Sequence, residues 1–163
     1  MKNERVYDAL QDSPVGLLGI RMTADRLAGI DFLAVSDEAD AARKSCRNQE
    51  PPAQVSVAID RYFSSANSLT NIKIDLQGTD FQKKVWSVLQ QIPAGSTRTY
   101  GEIARQLGSS ARAVGNACRS NPVPIFVPCH RVVSASGAGG FMGASGGQPL
   151  AIKHWLLEHE RKR

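Results

Sequence analysis

The chain has 163 residues, of which 42% are hydrophobic and 21% are charged, and this composition excludes the disordered class. No apolar stretch is long enough to cross a bilayer, and the N-terminal segment lacks the apolar core of a signal peptide. We therefore expect a cytosolic protein with no membrane partner.

The net charge of +5 is unevenly distributed along the chain. Residues 1–97 carry 11 Lys and Arg against 12 Asp and Glu, whereas residues 98–163 carry 9 against 3. The excess stays positive when the three basic residues at the C-terminus are left out. A basic region of this kind is typical of a surface that contacts a polyphosphate, so we expect nucleic-acid binding.

The first 76 residues predict a small α+β domain without chemistry of its own. Two β-favouring runs, VGLLGIRM and LAGIDFLAV, flank TADR and predict a hairpin. AQVSVAIDRYF has apolar residues at helical spacing, and NIKIDL alternates like a strand. The polar stretch DEADAARKSCRN predicts a surface helix or loop, in which Cys46 is an incidental thiol.

A second, mostly helical domain is predicted over residues 77–163. Thr79 is followed three residues later by Gln82, which is the capping-box pattern of a helix start, and Thr99 with Glu102 repeats it. Ser110 can cap the next helix, SARAVGNACRS. Two short helices joined by a tight turn, the second one basic, predict a helix-turn-helix.

The stretch FVPCHRVV carries the candidate nucleophile, Cys129. A cysteine reacts as its thiolate, which an adjacent histidine and a nearby cation favour and apolar burial disfavours. His130 and Arg131 supply such neighbours within a run that otherwise predicts a strand. Side chains alternate along a strand, so His130 reaches Cys129 only if Pro128 bends the chain or a water bridges them. A buried cysteine that only fills core space is the alternative.

The three cysteines show no CxxC or Cys/His ligand spacing, and an odd number cannot all pair within one molecule. We therefore expect neither a disulfide framework nor a structural zinc.

Three motifs, SNPVPIFVPCHRVV, ARAVGNACR and KHWLLEHE, closely resemble those of the O6-alkylguanine-DNA alkyltransferases, also called methylated-DNA-[protein]-cysteine S-methyltransferases. The resemblance is dense from about residue 79 to residue 160 and looser before it. It implies an α+β fold in which a small sheet-plus-helix domain precedes a mostly helical domain with a winged helix-turn-helix and the active-site cysteine.

The resemblance also implies the reaction. Cys129 would take the alkyl group irreversibly from O6 of a guanine that is flipped out of double-stranded DNA, because neither helix nor thiol reaches the substituent inside the duplex. O4-alkylthymine is a second candidate substrate. The transfer requires no metal or organic cofactor, and we expect a monomer.

Activation of the nucleophile would follow the family's relay from Cys129 through water to His130 and then to Glu160. Glu160 lies one turn beyond Leu156, on the apolar side of the last predicted helix. Asn121 matches the hinge asparagine that ties the recognition helix to the active-site segment.

Further residues match DNA-contacting positions of the family. Arg112 would enter the duplex through the minor groove, and Tyr100 would rotate the lesion's phosphate outward and hydrogen-bond the flipped base. Arg119 is a candidate phosphate contact. The backbone carbonyl of Val132 would accept from the exocyclic amine of guanine.

The loop GGFMGASGGQPLAIK departs from the family's pattern. Phe141 stands where the family commonly has tyrosine, so it can stack on a base but offers no hydroxyl. Several extra residues follow it, and Ser145 is a candidate donor to O6.

Two other functional classes remain open at this point. A cysteine hydrolase also uses a cysteine and a histidine, but its histidine normally comes from a distant part of the chain, and multiple turnover would identify it. A binding module, either a helix-turn-helix regulator or a lesion sensor without transfer, is the second alternative. Sensors lack the nucleophile, so the presence of Cys129 favours transfer.

Overall fold

The structure, a computed structural model, describes residues 5–33, 36–47, 50–65, 72–143 and 146–162. The chain divides into two compact units, Met1–Asp75 and Leu76–Arg163. Within the described ranges, no helix is both long enough and apolar enough to cross a membrane.

The N-terminal unit is built on a three-stranded antiparallel sheet in the order β1-β2-β3, formed by Ala9–Ser13, Gly16–Thr23 and Arg26–Leu33. The predicted hairpin of β2 and β3 is confirmed, with Leu17 opposite Leu33 and a turn that places Ala24 at a φ of 53°. Strand β1 was not predicted from the sequence, because ALQDS has only two apolar residues and no clean alternation.

Two helices follow the sheet, α1 over Ser36–Ser45 and α2 over Ala53–Ser64. The predicted helix α2 is confirmed, and its buried residues are Val55, Ala58, Ile59 and Tyr62. Gln11 of β1 donates to Asp60 of α2 at 2.9 Å, which fixes this helix beside the sheet edge.

Two predictions for this unit are wrong. The stretch DEADAARKSCRN forms a helix, one of the two predicted alternatives, but its assignment to the surface fails at Cys46, which follows α1 and lies in a buried apolar cluster with Tyr7 and Ala42. NIKIDL forms no full strand among its described residues. Only Ile74 makes a bridge, parallel to Leu27.

The C-terminal unit contains four α-helices and one 3-10 turn among its described residues. They are α3 over Asp80–Gln90, α4 over Tyr100–Leu107, α5 over Ala111–Arg119, the 3-10 turn over Cys129–Arg131 and α6 over Gly147–Arg161. Two short strands, β4 over Arg98–Thr99 and β5 over Val132–Val133, pair in parallel.

The predicted helix starts are confirmed in the C-terminal unit. Both capping boxes form, with Thr79 bound to Gln82 and Thr99 bound to Glu102, and the Ser110 hydroxyl accepts from an amide in the first turn of α5. Each cap satisfies amides that have no partner inside the helix. Helix α4 ends at Gly108 in the left-handed conformation, which allows α5 to follow after a short turn.

The predicted fold class is therefore confirmed: a small sheet-plus-helix unit precedes a mostly helical unit. The helix pair α4 and α5, the 3-10 turn and α6 together position the candidate site.

Candidate active site

Asn121 shapes the turn between α5 and the cysteine. Its side-chain amide donates to the Val127 carbonyl at 2.7 Å, and its side-chain oxygen accepts from the Val123 amide at 3.0 Å. Ile125, between these two partners, is buried with a φ of 76°, a conformation that branched side chains disfavour. The hydrogen bonds of Asn121 therefore stabilise a strained turn that leads directly to Cys129.

The prediction that Cys129 lies in an apolar strand is wrong. The chain bends at Pro128 and forms one 3-10 turn, in which the Arg131 amide donates to the Pro128 carbonyl at 3.0 Å. The flanking valines favoured a strand, in which successive side chains would point to opposite faces. The bend at Pro128 replaces this alternation. Cys129 lines a cavity, whereas His130 and Arg131 hydrogen-bond to Glu160.

Glu160 accepts hydrogen bonds from both residues that follow the cysteine. Its carboxylate is fully buried and lies 2.6 Å from His130 Nε2. The Arg131 guanidinium donates to it through Nη2 at 2.8 Å and Nε at 2.9 Å, and donates through Nη1 to the Ile92 carbonyl at 2.6 Å. The structure thus brings together Glu160 and His130, which are thirty positions apart in the sequence.

The ionisation of this cluster follows from its contacts. Burial raises the pKa of Glu160, but the hydrogen bonds from His130 and Arg131 outweigh it and hold the pKa far below its ordinary value. Burial lowers the pKa of His130, although Glu160 opposes the effect. The carboxylate is ionised and can only accept, so a neutral His130 carries its proton on Nε2.

The other ring nitrogen of His130 is thereby left unprotonated. His130 Nδ1 is buried and has no hydrogen-bond partner among the residues that the structure describes. A neutral imidazole nitrogen with its partner nitrogen held by a carboxylate is the arrangement of a general base.

A cavity of about 310 Å³ lies against the Cys129 side chain. Its wall is formed by Tyr100, Gly115, Cys118, Arg119, Cys129, Gly140, Phe141, Met142 and Gly143. Gly139 packs closely on the Tyr100 ring, since a Cβ there would lie 3.1 Å from the ring and the φ of 75° suits glycine. The cavity has the size of a small-molecule site and presents aromatic rings beside a thiol.

Cys129 is protonated in its resting environment. Burial raises the pKa of the thiol, and hydrogen bonding by Asn121 and the charge of Lys153 oppose the effect without reversing it. The prediction that Arg131 lies near enough to favour the thiolate is wrong, because its guanidinium is turned to Glu160. The thiol must therefore lose its proton to a base when it reacts.

Lys153 of α6 is a buried cation that the sequence interpretation missed. Its ammonium donates to the Val132 carbonyl at 2.6 Å and to the Gly140 carbonyl at 2.9 Å, and lies 5.9 Å from the centre of the Tyr100 ring. Burial lowers its pKa to about 8. The sequence could have indicated this burial, because Lys153 follows Ile152 on the buried side of α6.

The other predicted features of α6 are mixed. Leu156 is buried on the predicted apolar side, together with Ile152, whereas Trp155 is half-buried and stacks on His159 at a ring distance of 4.9 Å. His154 is exposed.

The sequence matches two models of one protein family. Residues 80–162 match the model described as "6-O-methylguanine DNA methyltransferase, DNA binding domain", and residues 6–76 match "6-O-methylguanine DNA methyltransferase, ribonuclease-like domain". The chain belongs to the 6-O-methylguanine DNA methyltransferase family. The resemblance found in the sequence motifs is confirmed.

Relatives of this methyltransferase family match nearly the whole chain. A methylated-DNA–protein-cysteine methyltransferase of Methanosarcina acetivorans is 36% identical over 95% of this chain and 98% of its own length. One from Mycolicibacterium paratuberculosis is 41% identical over 93% and 90%. The crystal structure of the Mycobacterium tuberculosis O6-methylguanine methyltransferase superimposes with a TM-score of 0.78 at 37% identity, covering 96% of this chain and 93% of that one.

The predicted DNA-contacting residues fall into two groups, one in the cavity wall and one on the exposed surface of α5. Tyr100 and Phe141 line the cavity, and Phe141 is buried. Arg112 and Arg119 are exposed on α5. Arg119 packs against Gly143 of the cavity rim, where a Cβ would lie 2.7 Å from its Nε.

Two predicted contacts of the methyltransferase site concern hydrogen bonds to the base. The Val132 carbonyl already accepts from Lys153, which leaves one lone pair for a second donor. Ser145 lies outside the described residues.

Proposed function

We propose that this chain repairs alkylated DNA by transferring the alkyl group from O6 of guanine to its own Cys129. The observation that carries the proposal is the Cys129 thiol on the wall of a cavity that also contains Tyr100 and Phe141, in a unit with a helix-turn-helix. The named methyltransferase relatives support it, since they match almost the full chain.

The transfer is a displacement at the alkyl carbon. A bond forms between Cys129 Sγ and the carbon, while the bond between the carbon and O6 breaks and its electron pair leaves with the guanine. The guanine takes up a proton and becomes an undamaged base. Because no group in the mechanism removes the thioether, each protein molecule repairs one lesion and is then spent.

His130 would remove the thiol proton through a bridging water. Its Nδ1 is unprotonated, and Glu160 would stabilise the imidazolium that forms when Nδ1 accepts the proton. Arg131 keeps Glu160 ionised throughout, because its guanidinium donates to the carboxylate through both Nε and Nη2. Asn121 would position the cysteine by hydrogen bonding and by holding the preceding turn.

The guanine would reach Cys129 only after rotation out of the duplex. We assign Arg112, exposed on α5, to the vacated position in the helix, and Tyr100 to the rotation of the phosphate and to the flipped base. Arg119 would contact a phosphate at the cavity rim. Phe141 would stack on the base, because stacking does not require the hydroxyl that a tyrosine would carry.

Two groups are proposed to read the edge of the base. The Val132 carbonyl would accept from the exocyclic amine with its remaining lone pair, and Ser145 is a candidate donor to O6. The partner is double-stranded DNA bound by one protein molecule, with O4-alkylthymine as a further candidate lesion. No cofactor takes part in the displacement.

Intact-mass measurement tests the proposal directly. After incubation with a duplex containing O6-methylguanine, the protein should gain the mass of one methyl group, and peptide mapping should place it on Cys129. Loss of the lesion should equal the amount of protein added, with no further turnover. Cys46→Ala should gain the methyl normally, because this thiol lies in the core of the other unit, whereas Cys129→Ala should gain none.

Two outcomes would contradict the proposal. An unchanged mass despite tight binding of the lesion would identify a sensor that does not transfer. A methyl group on a residue other than Cys129 would show that the cavity thiol is not the acceptor.

A further inference from the structure

Cys118 is a second thiol in the wall of the cavity, and the alkyl transfer gives it no role. It lies in the last turn of α5, is 9% exposed and lines the same cavity as Cys129. The third cysteine, Cys46, is buried in the N-terminal unit and lines no part of this cavity. The cavity therefore joins two of the three thiols of the chain.

Asn121 connects the two cysteines on the protein side of the cavity. Its backbone amide donates to the Cys118 carbonyl at 3.2 Å, and its side-chain amide donates to the Val127 carbonyl at 2.7 Å, two residues before Cys129. Asn121 thus connects the end of α5 to the segment that leads into the 3-10 turn. Both cysteines that Asn121 connects in this way line the cavity.

The electrostatic surroundings of the two thiols are shared as well. Burial and, to a smaller extent, the negative charge of an ionised Cys129 raise the pKa of Cys118 to about 12. The ammonium of Lys153 acts on both thiols and favours the thiolate form of each. Cys129 has His130 as a nearby base, so it is the thiol expected to react first.

We propose that Cys118 forms a reversible disulfide with Cys129 when a small hydroperoxide oxidises the acceptor thiol. In the first step His130 takes the thiol proton, the Cys129 thiolate attacks the outer oxygen of the hydroperoxide, and the O–O bond breaks. The leaving oxygen takes the proton back from His130, so that Cys129 sulfenic acid and an alcohol or water form. In the second step the Cys118 sulfur attacks the sulfenic sulfur, the S–O bond breaks, and water leaves with the thiol proton.

The disulfide has a functional consequence. It stops alkyl transfer but prevents the further oxidation of Cys129 to sulfinic and sulfonic acids, which thiols do not reverse. Reduction by a dithiol returns both cysteines. Each protein molecule can transfer only one alkyl group. Without the disulfide, irreversible oxidation of Cys129 would inactivate a molecule before it had made that transfer.

Peroxide treatment without DNA tests this inference. Hydrogen peroxide should remove two hydrogen masses from the intact wild-type protein, and non-reducing peptide mapping should recover the Cys118 and Cys129 peptides as one linked species. Dithiothreitol should then restore the original mass and the alkyl transfer of the untreated sample. Because the mass is measured without DNA, this result is independent of whether the chain transfers alkyl groups.

Two variants separate the disulfide from general oxidation. Cys118→Ala should gain oxygen atoms on Cys129 instead of losing hydrogen, and dithiothreitol should not recover its own untreated activity. Cys118→Ser serves the same purpose if the alanine variant folds poorly. Cys46→Ala should behave as the wild type does.

The inference is overturned if the wild type also gains oxygen on Cys129 without a linked peptide. It is equally overturned if the wild type and Cys118→Ala lose activity irreversibly to the same extent.

Discussion

The two units differ in what they bury. Among the described residues, the N-terminal unit has no buried charged side chain, whereas the C-terminal unit buries His130, Arg131, Lys153 and Glu160. Burial of a charge is unfavourable unless hydrogen bonds and an opposite charge offset it. These four buried side chains belong to the 3-10 turn of Cys129 and to α6, where the proposed transfer requires a base and a fixed carboxylate.

The same contrast separates two arginine–carboxylate pairs of similar length. Arg5 lies 2.9 Å from Asp31, and their side chains are 61% and 16% exposed, whereas Arg131 lies 2.8 Å from Glu160 and both side chains are at most 5% exposed. An exposed pair is screened by water and contributes little, but removal of one partner from a buried pair leaves an uncompensated charge. Two ion pairs with similar N···O distances can therefore contribute very differently to the free energy of unfolding.

Glu160→Gln should have the largest effect of the variants considered. Loss of the carboxylate leaves the buried Arg131 without its anion, so the free energy of unfolding of the C-terminal unit should fall by about 3–5 kcal/mol. Alkyl transfer should slow by roughly 100-fold or more, because His130 loses the group that stabilises its charge. Urea unfolding followed by tryptophan fluorescence reports on this unit, since both tryptophans, Trp86 and Trp155, belong to it.

A matched pair of controls separates structure from chemistry in this experiment. Asp31→Asn removes a carboxylate whose arginine partner is exposed to water, and should cost the N-terminal unit less than Glu160→Gln costs the C-terminal unit. The double variant Arg131→Met with Glu160→Gln should recover stability, because no buried charge is left, but should not recover transfer. An equal loss of stability in Glu160→Gln and Asp31→Asn would break the comparison.

Lys153→Met should show a smaller effect that depends on pH. The pKa of Lys153 is about 8 in the folded protein against an ordinary value of 10.5, so the unfolded chain binds more protons between these values. The stability of the wild type relative to Lys153→Met should therefore be lowest below pH 8 and should rise from there toward pH 10.5. A series of urea titrations across this range measures the trend.

A flat difference between the wild type and Lys153→Met would contradict this prediction. It would mean that the ammonium is as well solvated in the folded protein as in the unfolded chain. The carbonyls of Val132 and Gly140 would then have water in place of a buried partner.

The features predictable from the sequence were those with local causes. Thr79, Thr99 and Ser110 mark helix starts by capping chemistry that depends on a few neighbouring residues, and all three were found as expected. The family motifs around Cys129 gave the candidate nucleophile in the same way. Local rules were sufficient for these positions because each partner lies within a few residues.

The features that the sequence did not reveal depend on distant partners. The 3-10 turn at Cys129 arises from the bend at Pro128 and from contacts to Glu160, which flanking valines do not signal. Arg131 was interpreted as a neighbour of the thiol because the pattern gives adjacency but not direction. Lys153 was missed because a lysine is ordinarily exposed, and only the folded chain shows the two carbonyls that it binds.

Asp25→Asn in the N-terminal unit should have the smallest effect. Asp25 accepts from Lys73 at 3.0 Å, and this hydrogen bond lowers the pKa of Asp25 below its ordinary value. A lowered carboxylate pKa contributes stability above pH 3.8, which is lost as the pH falls through the lower folded value.

Both side chains are 66% exposed, however, so salt at about 0.15 M should screen the pair. Hydrogen exchange of the β3 amides should therefore be the same in wild type and variant at this ionic strength, and any difference should appear only at low salt. A difference that persisted in high salt would show that water is excluded from the pair, and the N-terminal unit would then hold a protected charge as the C-terminal unit does.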